Sequence, residues 1–241
     1  MSGGSPASRA ADGVQEKSSS SPGREAVLSR IRAALRNASG TPLPEPPPLS
    51  SFAADRAELV RQLAENASRV DVEAHIATTI EDARATLQQW LTDLHASRFL
   101  YVPGPTLERL GISQISSSAP IPLFTNPADE EVRSLLDCPV GVNEAAAAVS
   151  STGTIIEASG QGHSRLISLL PPVHISVVTS ERIFPDLAAW VARANLSEAF
   201  HSLSAFTLIS GPSRTADIEQ TLTRGVHGPG QMYMLVLDEM T

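Results

Sequence analysis

Residues 209–219 read ISGPSRTADIE, and His227-Gly228-Pro229 follows eight residues further along the chain. The run that leads into this stretch, Ala205 to Ser210, is short, apolar and rich in residues that favour β-structure, and it stops at Gly211-Pro212. An apolar run that ends in a glycine-proline pair is typical of a buried strand followed by a tight turn. The stretch therefore predicts one strand of an α/β sheet.

A helix is expected after this turn. Ser213 or Thr215 can cap its first backbone amides, and Asp217 and Glu219 would lie near its positive end. Gly225 is placed to end the helix. A strand that leads into a helix through such a turn presents free backbone N–H groups, which can bind an anion.

Two interpretations of the turn remain open at this point. One is an anion-binding site in which Arg214 is the nearby cation. The other is a well-capped strand and helix without a ligand. The acidic residues of the first helical turn argue against bound phosphate.

The composition limits the class of protein. The chain has 241 residues, of which 41% are hydrophobic, enough for one α/β domain with or without an appendage. Acidic residues outnumber basic ones by 26 to 18, and the net charge of -8 argues against a non-specific nucleic-acid binder. No apolar run could span a bilayer, and the N-terminus lacks the apolar core of a secretory signal. We therefore expect a cytoplasmic protein without membrane insertion.

Cys138 is the single cysteine, so no internal disulfide can form. Iron–sulfur clusters are normally held by several cysteine thiolates, so this chain alone is not expected to bind a conventional cluster. No histidine lies close to Cys138 in sequence. A small buried thiol is therefore favoured over a nucleophile.

The chain divides into four segments by composition. In order, they are a disordered tail at 1–22, an amphipathic helix at 23–40, a Pro-rich linker at 41–50 and a domain at 51–241. The apolar stripe of the helix contains Val27, Ile31 and Leu35. This stripe could pack on the domain or dock on a partner, and both alternatives remain open.

Helical and strand periodicities alternate through the domain, which favours a layered α/β sheet. Helices are predicted at 55–67, 79–94, 143–148 and 186–194, with a short helix or turn at 108–110 and a short helix at 130–136. Besides 205–210, strands are predicted at 98–102, 121–124, 166–170, 173–178 and 232–237, and 70–74 is a short strand or a connector. Leu169 is expected to be buried.

Two further segments carry polar residues between predicted elements. Gly141 to Thr154 reads GVNEAAAAVSSTGT, and its final turn could form a cradle of hydroxyl and amide groups. Arg165 follows a glycine-containing loop, where it could pair with the carboxylate of a substrate or a partner. His174 lies in a predicted strand, where it could donate a hydrogen bond, carry a proton or act as a ligand. The alternatives are a plain loop, a solvated arginine and a structural histidine.

Three segments resemble signatures of the lactate utilisation protein C family, which carries the LUD domain. They are GVNEAAAAVSSTGT at 141–154, Arg165 with SLLP at 168–171 and His174-Ile175, and GPSRTADIE at 211–219 with GVHGP at 225–229. The resemblance extends over roughly residues 25–238. The family's acidic positions fall on Ala146 and Ser151 here, so a role that depends on those carboxylates is not expected. Glu144 is the carboxylate that could replace them.

The resemblance implies a Rossmann-like α/β layered sheet with flanking helices, the fold shared by CoA transferases, sugar-phosphate isomerases and 5-formyltetrahydrofolate cyclo-ligases. It implies that 51–241 is a LUD domain and that the chain belongs to a complex that oxidises L-lactate to pyruvate. Iron–sulfur clusters would lie in the partner proteins, and this chain alone would bind no cofactor. The alternative is a stand-alone enzyme or sensor for a small carboxylate, nucleotide or acyl-phosphate-like ligand.

No catalytic residue and no metal ligand is assigned from the sequence. The candidate ligand-binding residues lie in the turns and strands described above: Thr152, Gly153, Thr154, Arg165, His174, Ser210, Gly211, Ser213, Arg214, Thr215, Asp217 and His227. The expected ligand is a small carboxylate or a phosphate-bearing molecule, and no nucleic acid is expected.

Overall fold

The structure is a computed structural model of the chain. It describes residues 22–36, 55–115, 118–123, 135, 137–160, 163–194, 203–216 and 222–239. By its internal contacts the chain divides into two units, residues 1–47 and 48–241. The predicted linker at 41–50 and nearly all of the predicted tail at 1–22 lie outside the described residues.

The described part of the first unit is one helix, α1 (Pro22–Arg36). Glu25 in its first turn and Arg36 in its last turn complement the helix dipole. Val27, Ile31 and Leu35 recur at helical spacing, and about half or more of each side chain is exposed. The helix therefore does not bury its apolar stripe within its own unit.

The second unit alternates strands and helices. In chain order they are α2 (Arg56–Arg69), β1 (Val72–Ala77), α3 (Ile80–Asp93), β2 (Arg98–Tyr101), α4 (Pro105–Arg109), β3 (Ala119–Pro122), β4 (Val140–Glu144), β5 (Ala147–Val149), β6 (Thr154–Gly160), β7 (Val173–Thr179), β8 (Ile183–Phe184), α5 (Leu187–Arg193), β9 (Leu203–Ile209), β10 (Arg214–Ala216), β11 (Leu222–Arg224) and β12 (Gln231–Leu237). Short 3-10 helices include Ser150–Thr152, Arg165–Ser168 and Ser180–Arg182.

Six strands form a parallel sheet in the order β1-β12-β7-β4-β2-β3. Side chains alternate between its faces, so Leu235 and Leu237 of β12 pack with α3, whereas Met234 and Val236 pack with α2. Helices on both faces bury the sheet, as parallel sheets require. The predicted Rossmann-like α/β layered sheet with flanking helices is confirmed.

Four strands form a second sheet in the order β8-β5-β6-β9. In it, β5 and β6 pair as an antiparallel hairpin, so the helix predicted at 143–148 is wrong. Asn143 and Glu144 end β4, and Ala147 and Ala148 lie in β5. Alanine favours helices intrinsically, but pairing with buried strands on either side overrides this preference.

The helix predicted after Gly211 is also wrong within the described residues. Arg214 pairs with Arg224 across an antiparallel hairpin of β10 and β11. The preceding strand β9 is only partly buried, not fully buried as predicted. Its position at the edge of the second sheet explains this exposure.

The strand predicted at 166–170 is wrong as well. Arg165–Ser168 forms a 3-10 helix, and Ile167 packs beside Leu100 of β2. Leu169, which was expected to be buried, is 45% exposed because it follows the helix and faces outward. The helix predicted at 130–136 lies almost entirely outside the described residues, whereas Cys138 is buried as expected.

The strand order creates a crevice at the carboxyl ends of β2 and β4. After β2 the chain moves outward to β3, whereas after β4 it continues towards β7, on the opposite side. Neighbouring parallel strands whose connections leave in opposite directions form the switch point at which α/β sheets bind ligands. A ligand-binding site is therefore expected at this edge of the sheet.

Candidate functional site

A cavity of about 320 Å³ opens at the carboxyl ends of β2 and β4. The loop at 102–105, directly after β2, forms one wall. The other walls come from the end of β4, from β6, from the 3-10 helix Arg165–Ser168 and from the 3-10 helix Ser180–Arg182. Their polar and charged residues include Asn143, Glu144, Glu157, Ser159, Arg165 and Arg182. The cavity thus occupies the switch point of the sheet.

Glu144 holds the loop after β2 in place. Its Oε2 accepts a hydrogen bond of 3.0 Å from the Thr106 backbone N–H, and its Oε1 accepts one of 2.8 Å from the Thr106 hydroxyl. Nη1 of Arg182 lies 3.2 Å from the same Oε1. The Glu144 side chain is largely buried, so Arg182 compensates its charge inside the protein.

Glu157 is a buried carboxyl on the wall of the cavity, 4% exposed. The Ser176 hydroxyl donates to its Oε1 at 3.1 Å, and the Asn143 amide donates to its Oε2. Both donors are neutral, and His174 is the only described residue with a basic nitrogen at ion-pair distance, 3.9 Å from Oε1. Burial raises the pKa of Glu157 to about 7, although the two hydrogen bonds oppose this shift.

His174 lies in β7 and is fully buried behind Asn143. Because Asn143 donates through Nδ2 to Glu157, its Oδ1 accepts from Nε2 of His174 at 2.8 Å. The other ring nitrogen, Nδ1, has no hydrogen-bond partner in the described part of the chain. Burial lowers the pKa of His174 to about 4, so the imidazole is neutral at physiological pH.

Arg165 is the uncompensated charge of the cavity. Its side chain is exposed at the 3-10 segment, and no residue in the described ranges forms an ion pair with it. Arg182, by contrast, is paired with Glu144. A free guanidinium presents a planar fork of donors that matches a carboxylate. The cavity can therefore accept a small anion.

A family model described as LUD domain matches residues 60–237. The chain belongs to the LUD domain family. Lactate utilization protein C of Bacillus subtilis (strain 168) is 27% identical over 234 residues, which cover 89% of this chain and 96% of the relative. Lactate utilization protein C of Exiguobacterium sp. (strain ATCC BAA-1283 / AT1b) is 32% identical over 157 residues, 64% of this chain and 67% of the relative. The resemblance to the lactate utilisation protein C family is confirmed.

The LUD fold is also seen in a solved structure. The crystal structure of a DUF162 family protein from Deinococcus radiodurans matches with a TM-score of 0.57 and 22% identity. The match covers 76% of this chain and 99% of that one. At this level of identity the match shows the fold alone.

The LUD domain brings two of the sequence-predicted residues to the cavity. Arg165 lines it, and His174 lies behind its wall, connected to Glu157 through Asn143. The remaining predicted residues lie in two other groups. Their assignment as ligand-binding residues stays a prediction.

The first group surrounds Gly153 and Gly211. Both glycines have positive φ, 64° and 95°, and a Cβ on either would collide with backbone atoms at the C-terminal end of α2. The Thr154 hydroxyl lies 2.7 Å from the hydroxyls of both Thr152 and Ser210. These turns thus pack against α2 and join two strands of the second sheet.

The second group lies around the β10–β11 hairpin. Arg214 and Arg224 both donate to Oδ2 of Asp71, and Arg224 does so at 2.6 Å. The Ser213 backbone N–H donates to the carbonyl of Pro229 at 2.8 Å. Thr215 is half-buried in the hairpin and His227 is exposed after it, whereas Asp217 lies outside the described residues.

Sequence reasoning missed Asn143, Glu157 and Arg182, which line the cavity, and Ser176, which donates a hydrogen bond to Glu157. The sequence predicts that Asn143 begins a helix at 143–148, whereas it lies near the end of β4. Glu157 carried a signal that could have found it, since a lone carboxylate inside the apolar run Ile155 to Ala158 must be compensated or functional. No local signal marks Ser176 or Arg182, because only the tertiary structure brings them to β6 and β4.

The described residues contain neither a metal-binding cluster nor a helix that could span a membrane. No group of three His, Cys, Asp or Glu side chains there could hold a metal ion. None of the helices that the structure describes is both long enough and apolar enough to cross a membrane.

Proposed function

We propose that this LUD-domain chain acts in the utilisation of L-lactate and that its cavity binds the carboxylate of a small hydroxy or oxo acid. The observation that carries the proposal is Arg165, which forms no ion pair with any described residue, in the same cavity as the buried Glu157. The role in lactate utilisation is supported by two relatives named lactate utilization protein C. The chain covers at least two thirds of the length of each.

The cavity suits a small acid in size and charge. Its volume of about 320 Å³ lies at the low end of the range for ligand pockets. Arg165 can bind a carboxylate through two parallel hydrogen bonds, and Glu157 can then meet the polar group on the neighbouring carbon. Val102, Pro103 and Pro105 provide an apolar wall for a methyl group.

Oxidation of L-lactate to pyruvate releases an electron pair and therefore needs an acceptor. The single cysteine of the chain, Cys138, is buried in the core beside Leu100. One buried thiol does not provide the several thiolate ligands that an iron–sulfur cluster normally needs. We assign the clusters to partner proteins and the binding of the acid to this chain. The chain is then one subunit of a lactate-oxidising complex.

The test is affinity purification of the chain from its native cells grown on L-lactate. The eluate is assayed for bound iron and sulfide and for dye reduction that depends on L-lactate. The proposal predicts that iron–sulfur proteins and activity elute together with the chain. If the chain elutes alone and lactate oxidation stays in other fractions, the assignment to a complex is wrong.

A second candidate is a stand-alone enzyme or sensor for a small carboxylate, nucleotide or acyl-phosphate-like ligand. It is favoured because residues of this chain place a cation, Arg165, and a buried carboxyl, Glu157, in one cavity. The two candidates differ in a simple measurement. A stand-alone protein restores function in cells that lack the iron–sulfur partners, whereas a subunit does not.

A further inference from the structure

We propose that the cavity takes up one proton together with each small monocarboxylate that it binds, and that Glu157 carries this proton. The inference rests on the proposed function, because it concerns the same cavity and the same class of ligand. It adds a chemical property, proton-coupled binding, and a residue that is responsible for it.

The first step is that no charged cation lies beside Glu157 among the described residues. Its two hydrogen bonds come from the neutral Asn143 amide and the neutral Ser176 hydroxyl. His174 lies at 3.9 Å, but its Nε2–H is used by Asn143, and burial keeps the ring neutral. A carboxylate that is buried without a cation is unstable in its ionised form.

The second step is the charge balance of the whole cavity. Among the described residues, four other titratable or charged side chains line it, namely Glu144, His163, Arg165 and Arg182. Glu144 and Arg182 compensate each other, and the His163 side chain is exposed. Arg165 is therefore the one cation that no described residue neutralises, and it can balance the charge of one anion.

The third step is the arrival of a ligand carboxylate. If Glu157 were ionised, two anions would share the cation Arg165 in one cavity. Like charges in one site raise the pKa of one of them, so the complex forms with protonated Glu157. The net reaction is the association of ionised protein, ligand anion and one proton to give the protonated complex. Above the pKa of free Glu157, near 7, the affinity falls roughly tenfold per pH unit.

The hydrogen-bond chain behind Glu157 positions this carboxyl. His174 fixes the orientation of the Asn143 amide, so that Nδ2 rather than Oδ1 faces Glu157. Ser176 holds the other oxygen. Protonated Glu157 can then donate its O–H to a hydroxyl or carbonyl oxygen of the bound acid.

The test is isothermal titration calorimetry of the full chain with L-lactate in HEPES and in Tris, whose ionisation enthalpies differ. The slope of the binding enthalpy against the ionisation enthalpy gives the protons taken up. We expect about one proton per lactate near pH 8 and close to none near pH 5.5. Glu157→Gln should still bind lactate, without proton uptake and with an affinity that is independent of pH.

Ser176→Ala gives a second variant that keeps the carboxyl. It removes a donor that favours the ionised form, so the fall in affinity should begin at higher pH than in the wild type. Lactate binding without proton uptake in the wild type, or unchanged uptake in Glu157→Gln, would overturn the inference and leave the proposed function standing. An absence of lactate binding near pH 5.5 would overturn both.

Discussion

Nε2 of His174 lies 3.9 Å from Oε1 of Glu157, and both side chains are buried. Burial moves the two pKa values in opposite directions, up to about 7 for Glu157 and down to about 4 for His174. At mildly acidic pH the folded protein therefore carries a proton on the carboxyl, whereas the unfolded chain carries one on the imidazole. Because the proton lies on a different group in each state, the two residues affect the pH dependence of the unfolding free energy in opposite directions.

Each residue alone makes stability depend on pH, with opposite sign. As pH rises from 4.5 to about 7, Glu157 loses its proton only in the unfolded state, so its contribution to stability falls. As pH falls from 6.5 to about 4, His174 gains a proton only in the unfolded state, so its contribution also falls. The two effects nearly cancel where the windows overlap.

Single substitutions should separate the two opposite pH dependences of the unfolding free energy. Glu157→Gln leaves His174, so stability should rise with pH across the overlap by about 3 kcal/mol. His174→Gln keeps an N–H donor and leaves Glu157, so stability should fall with rising pH by a similar amount. Urea unfolding at a series of pH values measures both. Variants that keep the wild-type pH profile would show that the two pKa shifts are absent.

Gly153→Ala and Gly211→Ala should each destabilise the fold by more than about 1 kcal/mol. Both positions have positive φ, and the added Cβ would strike the backbone at the end of α2. Thermal unfolding measures the effect. Gly228→Ala is the matched control, because its Cβ would lie 3.4 Å from Ser213 Cβ, an ordinary contact. Equal melting temperatures for all three variants would contradict the packing against α2.

Ile167 and Leu169 offer a comparison within one segment. Ile167 is 3% exposed and packs beside Leu100, so Ile167→Ala should cost about 2–5 kcal/mol of unfolding free energy. Leu169 is 45% exposed, so Leu169→Ala should cost less than about 1 kcal/mol. Chemical denaturation of the two variants tests this order. The reverse order would place Leu169 in the core.

The sequence predicted the helices that pack on the main sheet better than the hairpins that follow Asn143 and Gly211. Helical periodicity predicted α2, α3 and α5, because apolar residues such as Leu87 and Trp90 recur on one face that packs on the sheet. The alanines after Asn143 misled the prediction, because their helical preference is weaker than strand pairing in a buried sheet. The polar residues after Gly211 suit a hairpin as well as a helix start, and the choice depends on tertiary contacts such as that of Arg214 with Asp71.

The site was predictable only in part. Arg165 was found through its motif, and it lines the cavity. Glu157 is separated from Asn143 by 14 positions and from Ser176 by 19, so no local pattern links them. Only the packing of β6 beside β4 and β7 brings the three side chains together, and this arrangement is a property of the fold rather than of any one motif.

If the proposed function is right, Arg165 binds the acid during lactate utilisation. The most direct test is deletion of the chromosomal gene and complementation with wild type, Arg165→Gln or the control Arg193→Gln, an exposed arginine at the end of α5. Growth on L-lactate as carbon source is measured alongside the amount of folded protein. We expect growth with wild type and with Arg193→Gln, and no growth with Arg165→Gln, at equal protein levels. Normal growth with Arg165→Gln would contradict it.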